Sequence, residues 1–130
     1  MMAITFLSVA DVLVIHHRMI SEFGGDPGLR DRGLLESAVA MPRATFGGSP
    51  LHSNISDMAA AYHFHICRNH PFMDGNKRVA VAAAEVFLLL NDHELSASDE
   101  ALEQLTMEVA SGALSKAEVL AFFAEHVVAG

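Results

Sequence analysis

The stretch that decides the fold is residues 57–91, which read DMAAAYHFHICRNHPFMDGNKRVAVAAAEVFLLLN. Apolar side chains recur at helical spacing over Asp57–Asn69 and again over Lys77–Asn91, and both segments are apolar nearly all round. Helices of that kind lie in the middle of a bundle, because a surface helix keeps one polar face for the solvent. The stretch therefore predicts two central helices joined by a short polar connection.

The flanking sequence predicts further helices around this central pair. Before it we expect a helix that begins with the capping box Ser8–Asp11 and a short helix around Asp31–Met41 that stops before Pro42. After it we expect a polar and acidic helix over Ser96–Gly112. A last helix begins with the capping box Ser115–Glu118, and its apolar stripe reaches Val127. Residues 43–54 predict a loop with a small β-hairpin at Gly47-Gly48. No alternation is long enough for a sheet, and no composition break marks a second domain. We therefore expect residues 1–130 to form one all-α domain, a compact bundle of about six helices.

The composition excludes several classes of protein. Of the 130 residues, 52% are apolar and none lies in a low-complexity tract, which excludes disorder. The single cysteine, Cys67, cannot pair within the chain, and we expect it to be a small buried core residue. The apolar start lacks the basic segment of a signal peptide, and the longest apolar run is interrupted by Glu85 and too short to span a bilayer. The expected compartment is therefore the cytoplasm, with no membrane partner.

The charge of the chain is unevenly distributed. Eight basic residues stand against 16 acidic ones, a net charge of −8, which argues against direct binding of nucleic acid. Residues 1–78 are neutral overall, so the whole acidic excess lies after Arg78. Three of the eight basic residues, Arg68, Lys77 and Arg78, lie between positions 68 and 78. A local positive site on an acidic molecule predicts a bound anion, and the alternative is that these residues cluster by chance.

The connection between the central helices, residues 70–78, combines residues that suit phosphate chemistry. A proline ends the first helix, a glycine permits a tight turn, and we expect Asn76 to be the N-cap of the next helix. Lys77 and Arg78 then fall in the first turn, where cations oppose the helix dipole unless an anion is bound there. The free N–H groups of that turn and the two cationic side chains would converge on one phosphate-sized ligand.

Two further side chains of this connection complete a set of catalytic groups. Asp74 offers a carboxylate oxygen to Mg²⁺, the usual partner of a polyphosphate, and His70 can act as a general base near neutral pH. Base, metal ligand, anion site and charge stabilisers are together what phosphoryl or nucleotidyl transfer requires. No glycine-rich loop ending in Gly-Lys-Ser/Thr occurs, so this is not a Walker P-loop. The alternative is a polar turn whose Lys-Arg pair is only solvated.

The nine residues at 70–78, HPFMDGNKR, resemble the signature of the Fic/Doc superfamily, and specifically its death-on-curing (Doc) toxin branch. Residues 28–39, GLRDRGLLESAV, and the FGG at 46–48 also resemble short Doc-like proteins. The similarity covers residues 20–95 approximately, which is most of the chain. It implies the helical Fic/Doc fold with the active-site loop between two central helices, and ATP and Mg²⁺ as the groups bound there.

The resemblance also implies roles for single residues. His70 would deprotonate the hydroxyl of a Ser, Thr or Tyr on a target protein, Asp74 would bind Mg²⁺, and Phe72 would be a buried anchor of the loop. The residues implied to hold the nucleotide are Gly75, Asn76, Lys77 and Arg78, of which the last two also stabilise charge during transfer. Arg68 is a further candidate for a phosphate contact, with pairing to an acid as its alternative role.

Two positions bear on which group is transferred. Family members that transfer AMP usually have Gly-Asn-Gly-Arg with a second Arg three residues later, whereas this chain has Lys77 and Val81 at the two variant positions. Both departures match the Doc branch, whose members resemble protein kinases that act on elongation factor Tu, stop translation and are inhibited by a Phd-type antitoxin. The alternatives are an AMP transferase of the same fold and a non-catalytic protein whose anion site binds a phosphate group.

Several histidines have ordinary interpretations. His63, Cys67 and His70 share a helical face, but a zinc site built on them would lack its fourth ligand. His16 and His17 are expected on a helix surface.

Two positions outside the motif are left open. His52 lies in the 43–54 loop, which resembles in position the flap that aligns target side chains in Fic proteins, and it could approach a substrate. Glu85, in the apolar helix after the motif, is either ion-paired or at the solvent edge of that helix.

Overall fold

The computed structural model describes residues 3–130, which form six α-helices, one 3₁₀ turn and two small antiparallel sheets. The helical elements are α1 Val9–Phe23, α2 Arg32–Ala40, the 3₁₀ turn Met41–Arg43, α3 Ile55–Asn69, α4 Asn76–Leu90, α5 Asp99–Ser111 and α6 Lys116–His126. The strands are β1 Thr45–Phe46 paired with β2 Ser49–Pro50, and β3 His93–Leu95 paired with β4 Val127–Ala129. The expected mostly α-helical fold is confirmed. Within residues 3–130, no helix has both the length and the apolar character that crossing a membrane requires.

Helices α3 and α4 form the centre of the bundle, as their apolar sequences predict. Helix α3 packs along α4 and also contacts α2, α5 and α6. Tyr62 of α3 and Phe87 of α4 are fully buried, with their ring centroids 5.0 Å apart. The Tyr62 hydroxyl accepts a hydrogen bond from the backbone N–H of Leu7 at 2.8 Å, which ties the segment before α1 to this core.

Both predicted capping boxes are present. The Ser8 hydroxyl accepts from the Asp11 N–H while the Asp11 carboxylate accepts from the Ser8 N–H, and Ser115 and Glu118 form the same pair of bonds at the start of α6. These bonds satisfy N–H groups that the first turn of a helix leaves without partners. Local sequence therefore determines where the first and last helices begin.

The end of α6 and the start of α5 differ from the prediction. Helix α6 ends at His126, and Val127, expected on the apolar stripe of a helix, begins β4 and pairs with Leu95 of β3. The Ser96 N–H donates to the His126 carbonyl at 2.7 Å beside this sheet, so α5 begins only at Asp99. The pairing of β3 with β4 was not predicted, because each three-residue strand is extended only by pairing with a strand distant in sequence.

The predicted hairpin is found at the expected turn. Strands β1 and β2 are joined by Gly47 and Gly48, whose φ angles of 58° and 84° suit the type I′ turn that connects two-residue hairpins. The side chain of Phe46, next to the turn, is 82% exposed.

Candidate active site

His70 ends α3 and begins the connection to α4. It has left-handed backbone angles, φ 52° and ψ 53°, and its N–H donates to the carbonyl of Ile66 at 3.2 Å. The helix stops there because Pro71 has no N–H to continue the hydrogen-bonding pattern. The His70 imidazole is exposed and lines an open cleft, which is where a general base has to lie to meet a substrate.

Asn76 is not the N-cap that the sequence predicts. The N-cap of α4 is Gly75, which has a φ of 83°, a left-handed conformation that glycine adopts without strain. Asn76 is the first helical residue, and its buried side chain accepts from the Phe72 N–H and donates to the Phe72 carbonyl, both at 2.9 Å. The Asn76 carboxamide therefore holds the loop, and the group of Asn76 that stays free of a partner within the helix is its backbone N–H in the first turn of α4.

Phe72 is the anchor of the loop, as expected. Its side chain is fully buried, and the ring of His16 from α1 stacks on it with centroids 3.8 Å apart and planes 7° apart. His16 Nε2 lies 2.9 Å from the backbone carbonyl of Asp74, an acceptor, so Nε2 carries the hydrogen. The prediction of a surface position is thus wrong for His16, which is 4% exposed, and holds for the exposed His17. The helical periodicity of α1 does not reveal that a loop from elsewhere in the chain covers this histidine.

The segment between α1 and α2 runs beside the loop and is hydrogen-bonded to it at several positions. The Asp74 carboxylate accepts from the Asp26 N–H at 2.8 Å, and the Met73 N–H donates to the Gly28 carbonyl at 2.9 Å. The carbonyl of Pro71 accepts from the N–H of Arg30 at 2.7 Å and from that of the next residue at 3.0 Å. The loop that carries the predicted site residues is therefore paired with a second loop about forty residues earlier in the chain.

Arg30 is a functional candidate that the sequence did not reveal. Its guanidinium donates from Nε to the His70 carbonyl at 2.7 Å and from Nη2 to the Asn69 carbonyl at 2.9 Å. The available signal was its place in GLRDRG, which is part of the resemblance to short Doc-like proteins. Only the tertiary structure shows which atoms it contacts.

One cleft collects most of the predicted site residues. It has a volume of about 1210 Å³ and lies between the end of α1, the loop, the first half of α4 and helix α5. The predicted site residues that line it are His70, Asp74, Gly75, Asn76, Lys77 and Arg78. Arg68 does not line it, because its guanidinium lies over the ring of Phe64, 5.9 Å from the centroid.

The two cations of the cleft have no carboxylate partner among residues 3–130, where the ion pair present is Arg32 with Glu36 at 4.0 Å on α2. Lys77 and Arg78 are both exposed, and the Arg78 guanidinium lies over the Phe23 ring, 4.3 Å from its centroid. Two unpaired cations beside the free N–H groups of a helix start form an anion-binding arrangement.

The opposite side of the cleft is acidic. Glu85 of α4 and Asp99 and Glu103 of α5 all line it. Partial burial, together with the neighbouring charge of Asp99, raises the pKa of Glu85 above its ordinary value. Glu85 is exposed and has no cation within ion-pair distance in residues 3–130, which places it at the solvent edge of α4.

The other histidines considered for a role, His63 and His52, and the cysteine do not line the cleft, although His63 and Cys67 contact Thr106, which does. His63 is fully buried with Nε2 2.9 Å from the Thr106 hydroxyl, and burial lowers its pKa to about 4. Cys67 is buried as expected, its thiol directed at the Thr106 carbonyl at 3.7 Å, and burial raises its pKa to about 11. His52 is 2% exposed and does not line the cleft, and burial lowers its pKa as well. These groups are core residues in this fold.

The helical fold with this loop and cleft defines the class of protein. Residues 6–88 match the model of the Fic/DOC family, and the chain belongs to that family. It is 45% identical over 91 residues to Toxin Doc of Mycolicibacterium smegmatis (strain ATCC 700084 / mc(2)155), covering 68% of this chain and 70% of that protein. It is 31% identical over 113 residues to Protein kinase doc of Escherichia phage P1, covering 87% and 88% of the two chains. The expected membership of the death-on-curing branch is confirmed.

Proposed function

We propose that this protein is the toxin of a toxin–antitoxin pair and a transferase that moves the γ-phosphoryl group of ATP to a Ser or Thr hydroxyl of a translation factor. The observation that carries the proposal is the cleft, where the exposed His70 imidazole faces the same space as the unpaired Lys77 and Arg78 at the start of α4. Membership of the Fic/DOC family and relatives named Toxin Doc and Protein kinase doc support it. A factor such as elongation factor Tu is the target class that we propose, which implies action in the cytoplasm and arrest of growth.

In the proposed reaction His70 is the general base. Its imidazole accepts the proton of the target hydroxyl while the hydroxyl oxygen forms a bond to the γ-phosphorus of ATP. The bond from that phosphorus to the bridging oxygen breaks, and ADP leaves with the electron pair. Lys77, Arg78 and the N–H groups of the first turn of α4 stabilise the charge on the phosphoryl oxygens, since all of them face the cleft without a carboxylate partner among the described residues.

The residues present fit a bound Mg²⁺. Asp74 is exposed at the cleft, and one of its oxygens, Oδ2, accepts from the Asp26 N–H at 2.8 Å, which orients the carboxylate. Carboxylate oxygen is a preferred ligand of Mg²⁺, which is usually held by one or two protein carboxylates and the phosphates of its substrate. When bound, the ion neutralises phosphate charge. Asp74 would hold it, and the bond from the Asp26 N–H, in the segment between α1 and α2, fixes the direction of that side chain.

Transfer of the phosphoryl group is favoured over transfer of AMP by two residues of the cleft. Val81 lines it one turn after Lys77, so the second cation that is usual in AMP-transferring relatives is replaced by an apolar side chain. Lys77 stands where those relatives have glycine, and its longer side chain in the cleft would crowd the path of an AMP-type phosphate. This favours an inverted nucleotide with its γ-phosphate next to His70.

We also propose that a second protein, an antitoxin of the Phd type, restrains the toxin by folding a disordered tail onto it. Apolar side chains are exposed at the cleft, among them Phe23 at 53% and Met107 at 53%. A tail with an apolar face would bury them.

The experiment is incubation of the protein with Mg²⁺, a bacterial extract and ATP labelled at either the α- or the γ-phosphate. The variant His70→Ala removes the base, and His17→Ala is its matched control, because His17 is exposed on α1 and does not line the cleft. We expect label in one extract protein from γ-labelled ATP only, lost in His70→Ala and retained in His17→Ala. Label from α-labelled ATP would instead indicate AMP transfer. No His70-dependent label from either form would leave a non-catalytic phosphate-binding protein.

A further inference from the structure

We propose that Arg30 and His16 are positioning residues that hold the two ends of the catalytic loop, residues 70–75, in the geometry that transfer requires. The kinetic consequence of this proposal rests on the proposed function, and its structural consequence rests on the hydrogen bonds and ring stacking around the loop. Neither residue lines the cleft, so neither is expected to touch a substrate. Each contacts the backbone of a residue that does.

Arg30 holds the first end. The last carbonyls of a helix have no partner within the helix, and those of Asn69 and His70 both receive a hydrogen bond from the Arg30 guanidinium, at 2.9 and 2.7 Å. One planar group with donors in a fixed arrangement thereby joins two consecutive peptide units. The second of those peptide units follows the left-handed φ of 52° at His70, a conformation that a non-glycine residue keeps only when its surroundings hold it. Arg30 therefore fixes the backbone from which the catalytic imidazole projects.

His16 holds the other end. Its ring stacks on Phe72 at 3.8 Å, and its Nε2–H donates to the Asp74 carbonyl at 2.9 Å. Because the ring is 4% exposed, water does not compete freely for this bond. His16 thus fixes the peptide that follows Asp74, while the Asp26 N–H fixes its carboxylate.

The two residues act on the loop and not on the first turn of α4. Lys77 and Arg78 project from α4, and neither contact of Arg30 nor that of His16 reaches them. Loss of Arg30 is therefore expected to displace His70 while leaving the phosphate-binding groups in place. A displacement of about 1 Å at a reacting group costs up to about 100-fold in rate. The expected signature is a lower kcat with a nearly unchanged KM for ATP.

The test compares Arg30→Gln with Arg32→Gln, and His16→Phe with His17→Phe. Arg32 and His17 are exposed neighbours that do not contact the loop, whereas His16→Phe keeps an aromatic ring for Phe72 and removes only the donor. Amide hydrogen exchange by NMR reports the loop directly through the N–H groups of Phe72 and Met73, without any need for activity. Steady-state kinetics with γ-labelled ATP then give kcat and KM, and methylguanidinium added to Arg30→Ala tests whether the lost group can be restored.

We expect about tenfold faster exchange at Phe72 or Met73 in Arg30→Gln and His16→Phe, with kcat at least about tenfold lower and both control variants close to the unmodified protein. The KM for ATP should stay within about twofold in Arg30→Gln; His16→Phe is judged on exchange and kcat alone, because His16 also holds the peptide of Asp74, the proposed Mg²⁺ ligand. Partial recovery of kcat by methylguanidinium in Arg30→Ala would support the role of the guanidinium. Unchanged exchange in both variants overturns the proposal, even if no transfer activity is found for the unmodified protein. Faster exchange with unchanged kcat in an active protein also overturns it, because the loop would then not position the base.

Discussion

His63 lies within α3 and His70, seven positions later, is the residue that ends this helix, and their surroundings are opposite in character. His63, in the middle of α3, is fully buried, has Nε2 2.9 Å from the Thr106 hydroxyl and a pKa lowered by burial to about 4. His70, at the end of α3, is exposed, has left-handed backbone angles and faces the cleft. The residue type and the helix are shared, so the difference arises from what the rest of the chain packs against each position.

The comparison distinguishes two regions: the middle of α3 around His63, which is part of the core, and the end of α3 around His70, which borders the cleft. Around His63 the side chains are covered by α5 and α6, and Nε2 of the ring is paired with the Thr106 hydroxyl within the core, while Nδ1 is buried without a hydrogen-bond partner among residues 3–130. Around His70 the helix is interrupted, and backbone groups are held by a loop from another part of the chain. Changes in the first region should act on stability, and changes in the second on activity.

The largest expected effect comes from replacing each of the two histidines with alanine and comparing activity and stability. His70→Ala should lower transfer activity by about 100-fold to 10,000-fold, the usual contribution of a general base, with the melting temperature nearly unchanged. His63→Ala should do the reverse, because it removes a buried ring and leaves the Thr106 hydroxyl without that partner. Transfer assays and thermal melting of both variants test this. A strong loss of melting temperature in His70→Ala with full residual activity would remove the distinction.

The second prediction compares a buried and an exposed residue that are neighbours in the loop. Phe72 is fully buried, whereas the next residue, Met73, is 49% exposed. Phe72→Ala should cost about 3–5 kcal/mol of unfolding free energy, the usual cost of deleting a buried aromatic ring, and Met73→Ala less than about 1 kcal/mol. Urea unfolding of the two variants measures the difference. Equal midpoints would mean that the loop contributes little to the packed core.

The third prediction concerns pH and the buried half of α3. Burial lowers the pKa of His63 from 6.5 to about 4, so between these values the unfolded chain binds a proton that the folded chain does not. This contribution to stability is complete above pH 6.5 and is lost as the pH falls toward 4, at up to about 1.4 kcal/mol per pH unit.

His63→Gln should therefore reduce the slope of the unfolding free energy against pH between pH 6.5 and 4. The expected reduction corresponds to somewhat less than one proton taken up on unfolding. His65, whose pKa burial also lowers to about 4, retains its own share of the slope in that variant. Urea midpoints at several pH values provide the measurement. The same slope in His63→Gln and the unmodified protein would show that His63 takes up a proton without unfolding.

The smallest expected effect lies on the functional side. Lys77→Gln and Arg78→Gln should each weaken binding of ATP by about 10-fold, roughly the value of a hydrogen bond to a charged group, with little change in the melting temperature. Arg18→Gln is the control, since Arg18 is exposed on α1 and does not line the cleft. Isothermal titration calorimetry at two salt concentrations measures the affinity. If the Arg18 variant loses as much affinity, binding depends on overall charge and not on the start of α4.

Much of the fold could be predicted from local patterns. The capping boxes at Ser8 and Ser115, the apolar character of α3 and α4, and the glycine turn of the hairpin are encoded by neighbouring residues, and the structure confirms them. The β3–β4 pair was missed because Leu95 and Val127 are brought together only by the folded bundle. A three-residue strand carries too little periodicity to be distinguished from the end of a helix.

The site, like the fold, could be predicted only as far as local sequence determines it. The motif at 70–78 identified the loop, but it did not show that the Asn76 side chain bonds to Phe72, that His16 lies beneath the loop, or that Arg30 caps α3. Arg68, close to the motif in sequence, points to Phe64 and away from the cleft. Proximity along a chain is a poor guide at the end of a helix, since a difference of two residues turns a side chain to another face.

The amino-acid sequence by itself determined the family, the central helix pair and the place of the candidate site, because apolar periodicity, capping residues and a nine-residue motif are local properties. Tertiary structure decided which histidine is a core residue and which can act as a base. It also decided which arginine braces the loop and which two cations remain unpaired in the described cleft. Burial and hydrogen-bond partners set these outcomes, and both depend on residues brought together from distant parts of the chain.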